Sequence, residues 1–310
     1  MKSNQAADTI LMIRPANFGF NQETAANNVF QEEEKERSSS EVISTAKAEY
    51  DAMVLELRSH GVKIISIADT HLPVKTDAVF GNNWMSTHRD GSLYLYPMYS
   101  PNRRLERRAD IVSRLSLDYQ LTLIDDLLSH EEKDQYLEST GSMIIDHDNK
   151  LIYACESDRT HRAVLTDFGR RIGHEIIMFD ALDKNGLPVY HTNVVMTLGS
   201  KVAVICTECI VDEDQRNNVI HHLKSTNKEI LDISRQQVNA FAGNMLEVVG
   251  SSEKPILVMS QSAYESLSSE QLHIIKNHNK IVSCTIPTIE KLGGGSVRCM
   301  MTEIFLPVHQ

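Results

Sequence analysis

The chain has few features of secreted, membrane-spanning or nucleic-acid-binding proteins. Its 310 residues include five cysteines, an odd and scattered set that argues against a disulfide framework and favours a reducing cytoplasm. No apolar run reaches the roughly 18 residues of a membrane span, and the polar start, residues 1–8, has no signal-peptide core. A net charge of -11 argues against nucleic acid or an anionic membrane as the main partner.

The cysteines contain a single CxxC pattern, residues 206–209 (CTEC), within the apolar run 202–211. No second pair follows, and His221 and His222 have the wrong spacing for a zinc finger. We interpret the pair as ordinary strand packing, with metal or redox chemistry as the alternative. The sequence therefore predicts no metal site and no cofactor.

A repeat is present along most of the chain. Short apolar strands are predicted to begin at five polar or small anchors, Asn83, Gly141, Asn193, Asn244 and Ser296. The steps between successive anchors are 58, 52, 51 and 52 residues. A nearly constant period above 50 residues indicates a repeat architecture.

Each unit has the same predicted order of elements. In one unit, the strands 194–198 and 202–211 are followed by a helix over 212–223, capped by Asp212, and by a third strand over 229–233. The unit before it has strands over 142–145, 151–155 and 174–179, with a helix over 160–172. The pattern predicts a ββαβ unit.

The first unit is divided between the two ends of the sequence. Its helix (40–60) and strand (62–67) lie near the start, and its remaining strand is predicted over 297–306. Five such units would close into a ring without free sheet edges. The sequence thus predicts an α/β fold, a five-bladed α/β propeller of ββαβ repeats with pseudo-fivefold symmetry, as one domain over residues 1–310.

The closed ring would bring chemically competent side chains together at one end of its channel. Cys299 follows a glycine run in 293–300 (GGGSVRCM), and glycine allows close approach of backbone to a ligand. Glu138 and His191 stand at equivalent positions of two other units. A thiol, an imidazole and a carboxylate can serve as nucleophile, acid/base and orienting group. Cys299 alone would be interpreted as a small buried hydrophobe.

The segments 137–142 (LESTGS), 191–193 (HTN) and 294–300 (GGSVRCM) resemble the guanidine-modifying, or pentein, superfamily. Its members include arginine deiminases, dimethylarginine hydrolases, amidinotransferases and succinylarginine dihydrolase. Segments 14–21 (RPANFGFN) and 80–84 (FGNNW) resemble most the amidinotransferase-like subgroup associated with citrulline hydrolysis. The resemblance implies that Cys299 is the nucleophile, His191 the general acid/base and Glu138 the substrate-contacting carboxylate.

Two positions depart from the deiminase pattern, in which aspartates hold a cationic guanidinium. This chain has Asn83 and Asn193 at those positions. An amide offers both a donor and an acceptor, which suits a neutral ureido group. Succinylarginine dihydrolase also resembles this pattern at the first of the two positions and still accepts a guanidine, so a guanidino substrate stays open.

Four further residues are candidates for substrate binding. Arginines in 101–108 (PNRRLERR) oppose the helix dipole at a predicted helix start, and Arg104 is our first choice for the substrate carboxylate. Trp84, the single tryptophan, either walls the pocket or packs in the core. The resemblance alone implies that Phe18 and Asn21 cap the pocket.

We expect a cofactor-free hydrolase of C–N bonds in a ureido or guanidino amino acid, with citrulline as the preferred substrate. Arginine deiminase or dihydrolase activity and amidinotransfer are the enzymatic alternatives; amidinotransfer requires that water be excluded from the intermediate. A non-catalytic binding module is the third hypothesis, disfavoured because Cys299, His191 and Glu138 occur together. The expected partner is a small amino acid, and self-association is left open.

Overall fold

The computed structural model describes residues 3–25 and 27–309. Its strands form five separate three-stranded sheets. In each sheet the central strand pairs antiparallel with one neighbour and parallel with the other. This is the pairing expected of a ββαβ unit, so the repeat inferred from the spacing is confirmed, and we refer to the sheets as blades. The single domain predicted over 1–310 includes Met1, Lys2, Ala26 and Gln310, which lie outside the described residues.

The first blade joins the two ends of the chain. Thr9–Arg14 is its central strand, parallel to Lys63–Ala68 and antiparallel to Thr302–Ile304. Thr9 pairs with Ile304 and Leu11 with Thr302. The predicted circular closure is therefore present, although the C-terminal strand is shorter than the predicted 297–306.

The other four blades follow one another along the chain. Their strands are Met85–Thr87, Ser92–Leu95 and Leu123–Asp126; Ile144–Asp146, Leu151–Cys155 and Glu175–Phe179; Met196–Leu198, Val202–Ile205 and Glu229–Asp232; Leu246–Val248, Ile256–Ser260 and Lys280–Cys284. Neighbouring blades contact one another through the strands that pair antiparallel with the central strands: Thr302–Ile304 contacts Met85–Thr87, and Met196–Leu198 contacts both Ile144–Asp146 and Leu246–Val248. The parallel bridge between Ala7 and Val248 joins the fifth blade to the start of the first.

Helices connect and flank the strands of the blades. The α-helices are Gln22–Ala25, Ser39–Ser59, Pro101–Arg104, Ala109–Asp118, Ser139–Ser142, Arg162–Ile172, Glu213–Ser225, Arg235–Asn239, Gln261–Ser266, Ser269–His278 and Pro287–Gly293. Several begin at a capping side chain: Ser38 forms a capping box with Glu41, and the Asp212 side chain accepts the Gln215 N–H, as predicted. Buried apolar side chains from helices and strands form the core between them.

Short helical turns precede the inner strands where uninterrupted strands were predicted. The turns are Gly81–Asn83, Ser139–Ser142, Thr192–Val194 and Val297–Met300. Small and polar residues at these positions hydrogen-bond locally and compete with the sheet ladder. The predicted strand 202–211 is likewise divided into Val202–Ile205 and the helical turn Thr207–Cys209. The turns matter because they carry the candidate site residues.

Within the described part of the chain, no helix is both long and apolar enough to cross a membrane.

Candidate active site

The thiol of Cys299 is presented by the turn Val297–Met300, directly after three glycines. A Cβ atom on Gly293 would lie 2.5 Å from Cζ of Phe80, and Gly294 has a φ of +61°. Side chains at these positions would collide with the pocket wall or strain the backbone. The glycine run therefore lets the chain pass close to Phe80 and place Cys299, which is only 4% exposed, in the pocket.

His191 and Glu138 form a buried pair across two blades. Nε2 of His191 lies 2.8 Å from Oε2 of Glu138, and the side chains are 2% and 0% exposed. A Cβ atom on Gly141 would lie 2.8 Å from Nδ1 of His191, so glycine is needed where the two turns meet. Oε1 of Glu138 accepts the backbone N–H of Tyr99 at 3.1 Å. The carboxylate is thus held at both oxygens.

Two buried arginines surround the same carboxylate. Nη1 of Arg103 and Nη1 of Arg159 lie 3.7 and 3.6 Å from Oε2 of Glu138. Burial alone would raise the pKa of Glu138, but Arg159, His191 and Arg103 together hold it well below its usual value. Burial lowers the pKa of His191 to about 4, although Glu138 opposes this shift. At neutral pH the pair is therefore a carboxylate and a neutral imidazole.

Amide groups contact the thiol. Nδ2 of Asn244 lies 3.3 Å and Nδ2 of Asn193 3.6 Å from Sγ of Cys299. Oδ1 of Asn244 also accepts the backbone N–H of Arg298 at 3.1 Å, which fixes its orientation. Oδ1 of Asn193 is buried and has no hydrogen-bond partner among the described residues. One acceptor next to the thiol is therefore available to a ligand.

A second acidic group lies in the pocket wall. Oδ2 of Asp77 accepts hydrogen bonds from Asn21 at 2.8 Å and Thr24 at 3.2 Å. Oδ1 of Asp77 is buried without a hydrogen-bond partner among the described residues. Burial raises the pKa of this carboxyl group, and Arg103 opposes the shift. Asp77 can therefore accept a donor from a bound molecule.

A small pocket lies beside these groups, although Glu138, Asn193 and Asn244 are not among its lining residues. Its lining consists of Thr24, Asn28, Asp77, Phe80, Asn83, Arg103, Arg159, Tyr190, His191, Gly293, Gly294, Gly295 and Cys299. A larger cavity lies on the other side of Tyr190, but its described lining contains no histidine. We assign the chemistry to the small pocket because Cys299 and His191 both line it.

The structure places the other predicted residues at different distances from the pocket. Oδ1 of Asn83 accepts a hydrogen bond from Nη1 of Arg103 at 3.0 Å, so this amide lies at the pocket. Asn21 stands behind Asp77, and Phe18 lies behind the glycine run, 3.3 Å from a Cβ built on Gly293. Trp84 packs in the core of the first and second blades, the second of its two predicted placements.

Arg104 does not line the pocket. Its guanidinium donates to the backbone carbonyls of Met98 and Tyr99 and lies over the ring of Tyr136. Arg103 occupies the pocket instead, because neighbouring residues on a helix point about 100° apart.

Sequence reasoning missed Arg103, Arg159 and Asp77. Arg103 and Arg159 both follow the second strand of their blades, and this shared placement was the one available signal.

In the described residues, no group of three or more His, Cys, Asp or Glu side chains could hold a metal ion.

The fold was compared with solved structures. The N-terminal domain of ArgZ with substrate, an arginine dihydrolase from the ornithine–ammonia cycle in cyanobacteria, is 13% identical with a TM-score of 0.71, over 96% of this chain and 99% of that one. DDAH from Pseudomonas aeruginosa in complex with citrulline is 14% identical, with a TM-score of 0.65, and the match covers 96% of this chain and 99% of that one. AgrE in complex with L-arginine is 14% identical, with a TM-score of 0.74, and the match covers 97% of this chain and 41% of that one. These likenesses confirm the pentein fold, the α/β propeller predicted above.

The chain spans 41% of the length of intact ArgZ. No curated protein of similar sequence was found. Residues 14–306 match the family described as N,N dimethylarginine dimethylhydrolase, eukaryotic. This family belongs to the expected superfamily. Its enzymes are of the expected class, hydrolases of C–N bonds in guanidino compounds. The chain belongs to the eukaryotic-type N,N-dimethylarginine dimethylhydrolase family of the pentein superfamily.

Proposed function

We propose that the protein hydrolyses a ureido or guanidino amino acid through a covalent intermediate on Cys299, and that citrulline is its preferred substrate. The observation that carries the choice of citrulline is the environment of the reacting end of the pocket. The thiol is flanked by the amides of Asn193 and Asn244, and the carboxylate of Glu138 is shared by Arg103, Arg159 and His191.

This environment favours a neutral group over a cation. A guanidinium buried at Cys299 needs a nearby carboxylate that is not already engaged, because desolvating an uncompensated charge is costly. Glu138 already faces two guanidinium groups. An amide such as Asn193 can accept a ureido N–H at Oδ1 and donate from Nδ2. The ureido group of citrulline satisfies both without adding charge.

Charged groups of the same pocket suit the amino-acid end of the substrate. Arg159 and Arg103 supply cations for an α-carboxylate, and Asp77 has a buried oxygen available to an α-ammonium group. Arg159 is held in place by Asn27 and by the ring of Tyr190, 4.9 Å away. In this proposal, Asn21 and Phe18 support Asp77 and the glycine run, while Asn83 orients Arg103.

The first half of the reaction uses the neutral imidazole. Because Glu138 accepts from Nε2, the lone pair of His191 lies on Nδ1, which takes the thiol proton of Cys299. The thiolate then attacks the ureido carbon and forms a C–S bond. His191 returns the proton to the departing nitrogen as the C–N bond breaks. Ornithine leaves, and a carbamoyl group remains on the sulfur.

The second half consumes water. His191 removes a proton from a water molecule, the resulting hydroxide attacks the carbamoyl carbon, and the C–S bond breaks. The proton on His191 returns to the thiolate of Cys299. The released carbamic acid decomposes to ammonia and carbon dioxide, so citrulline and one water yield ornithine, ammonia and carbon dioxide.

A guanidino substrate is the second candidate, supported by the family and by the ionised carboxylate of Glu138 beside His191. With arginine or a methylated arginine, attack at the guanidino carbon would release ammonia or a methylated amine, and water would then release citrulline from the sulfur of Cys299. In amidinotransfer the amino-acid amine leaves first, an amidino group remains on the sulfur of Cys299, and an acceptor amine replaces water in the second half.

The deciding experiment incubates the purified protein separately with citrulline, arginine and N,N-dimethylarginine. Chromatography then measures ornithine, citrulline and ammonia. We expect citrulline to have the highest kcat/KM, and a carbamoyl adduct on Cys299 should be detectable by mass spectrometry after an acid quench. Cys299→Ser should abolish turnover, whereas Cys284→Ser, at a buried cysteine of the fifth blade, should retain it.

Two outcomes count against the proposal. Much faster turnover of arginine than of citrulline would replace the ureido substrate by the second candidate. Turnover of citrulline by Cys299→Ser would remove the covalent mechanism altogether.

We place the protein in the cytoplasm, in keeping with its five free cysteines. Self-association stays a prediction, to be measured by light scattering.

A further inference from the structure

Cys206 and Cys209 form a close thiol pair away from the active-site thiol. The helical turn Thr207–Cys209 brings the two sulfur atoms to 3.4 Å. A disulfide requires about 2.05 Å between the sulfurs, so a small movement of side chains is sufficient to join them. The pair was interpreted from the sequence as strand packing, but the strand ends at Ile205 and leaves both cysteines in or beside the turn.

Cys209 also faces open space. It lines the larger cavity beyond Tyr190, which has a volume of about 400 Å³. Phe30, Val189 and Val238 contribute apolar surface to this cavity, and Lys184 and Arg235 contribute cations. We name it the side cavity. Cys206 does not line it, so a molecule in the side cavity reaches one sulfur of the pair before the other.

Of the two sulfurs, that of Cys209 shares the side cavity with a cation, Arg235. Its Nη2 donates to the carbonyl of Glu208 at 2.7 Å, and its Nε is buried without a hydrogen-bond partner among the described residues. The interaction with Cys206 lowers the pKa of the Cys209 thiol, burial opposes this, and Arg235 lowers it further. The interaction with Cys209 raises the pKa of Cys206. A thiolate is the attacking species in disulfide exchange.

We propose that Cys206 and Cys209 are an oxidation site, converted to an intramolecular disulfide by a low-molecular-weight disulfide of the glutathione type that enters the side cavity. The Cys209 thiolate attacks one sulfur of the oxidant and releases one thiolate. The Cys206 sulfur, after losing its proton, attacks Cys209 and releases the second. Two protein thiols are oxidised, one disulfide is reduced, and the two protons pass to the two released thiolates.

The turn is connected to both sides of the His191 segment. The carbonyl of Cys209 accepts the N–H of Leu182 at 2.8 Å, and the N–H of Cys206 donates to the carbonyl of Val195 at 2.9 Å. The oxidation site therefore lies where the chain enters and leaves the third-to-fourth blade connection.

The test treats folded Cys299→Ser protein with oxidised glutathione, so that the active-site thiol does not consume the oxidant. We expect the mass to fall by two hydrogen atoms, and the peptide that contains residues 206–209 to carry the change. In a Cys206→Ser background the reaction should stop at a glutathione adduct on Cys209. In a Cys209→Ser background Cys206 should react at least tenfold more slowly.

Cys155→Ser and Cys284→Ser serve as matched controls at other buried cysteines and should not change the rate. Arg235→Met should slow oxidation severalfold. The proposal is overturned if Cys206 and Cys209 stay reduced in protein that circular dichroism shows to be folded. It is also overturned if Cys155 or Cys284 is oxidised first. The readout is mass and not turnover, so it is independent of the proposed function.

Discussion

Nε2 of His191 and Oε2 of Glu138 lie 2.8 Å apart, and both side chains are buried. Two guanidinium groups near the carboxylate keep it ionised, and burial keeps the imidazole neutral. The pair is therefore a hydrogen bond from a neutral ring to a carboxylate, with one ring nitrogen left as a base. This arrangement has consequences for stability as well as for chemistry.

The first prediction concerns acid. Burial lowers the folded-state pKa of His88 and of His191 to about 4 each. The unfolded chain binds protons on these imidazoles near pH 6.5, so stability is fully present above that value and is lost as the pH falls towards 4. Urea unfolding should show a decrease of about 1–2 kcal/mol per imidazole between pH 7 and pH 5.

His191→Gln should have a smaller decrease over the same range, because one of the buried imidazoles with a lowered pKa has been removed. His221→Gln, at an exposed histidine, is the control and should keep the full decrease. An unfolding free energy independent of pH between 7 and 5 would contradict the prediction.

The second prediction separates the two amides that stand where deiminases have aspartates. Asn193→Asp places a carboxylate beside Cys299 and should shift the ratio of kcat/KM for arginine to that for citrulline by about tenfold or more towards arginine. Asn83→Asp is the matched control. A carboxylate there would pair with Arg103, which lies 3.0 Å from Oδ1, and should change the ratio little. Equal shifts in both variants would show that total charge, and not position, decides the selectivity.

The third prediction concerns Asn244 as a positioning residue for the thiol. Asn244→Ser removes an N–H group 3.3 Å from Sγ of Cys299 and should slow iodoacetamide alkylation of Cys299 at pH 7 by about tenfold, because the thiolate loses a donor worth about 1–2 kcal/mol. Asn279→Ser, at a buried amide bonded to Glu247, should leave the alkylation rate unchanged. An unaltered rate in Asn244→Ser would mean that this amide only supports the backbone.

The fourth prediction compares neighbouring arginines. Arg103→Lys and Arg159→Lys should each raise KM for citrulline about tenfold or more, because lysine cannot form the planar paired contact with a carboxylate. Arg104→Lys should change KM by no more than about twofold, because the guanidinium of Arg104 donates hydrogen bonds to the carbonyls of Met98 and Tyr99 and does not line the pocket. A larger effect at Arg104 than at Arg103 would support the original choice.

The repeat made much of this architecture predictable. The spacing of Glu138, His191 and Cys299 on equivalent units predicted three residues of one catalytic region, and two of them are 2.8 Å apart. Arg104 was chosen over Arg103 because sequence spacing does not tell which way a side chain points on the four-residue helix Pro101–Arg104. Asp77 and Arg159 lie in irregular segments without periodicity, so their approach to the pocket depends on tertiary packing.

The end of the strand Val202–Ile205 was missed for another reason. The apolar run continues through the two cysteines to Val211, and hydrophobicity alone does not mark where a ladder stops.

One segment carries the proposed nucleophile and also closes the ring. The turn Val297–Met300 holds Cys299, and Thr302–Ile304 pairs with the first strand a few residues later. We expect that loosening of that first sheet, during folding or on heating, moves the sulfur away from the amides of Asn193 and Asn244. In the proposed mechanism, activity therefore requires that the C-terminal strand be paired with the first strand of the chain. Loss of activity would then report the opening of this sheet.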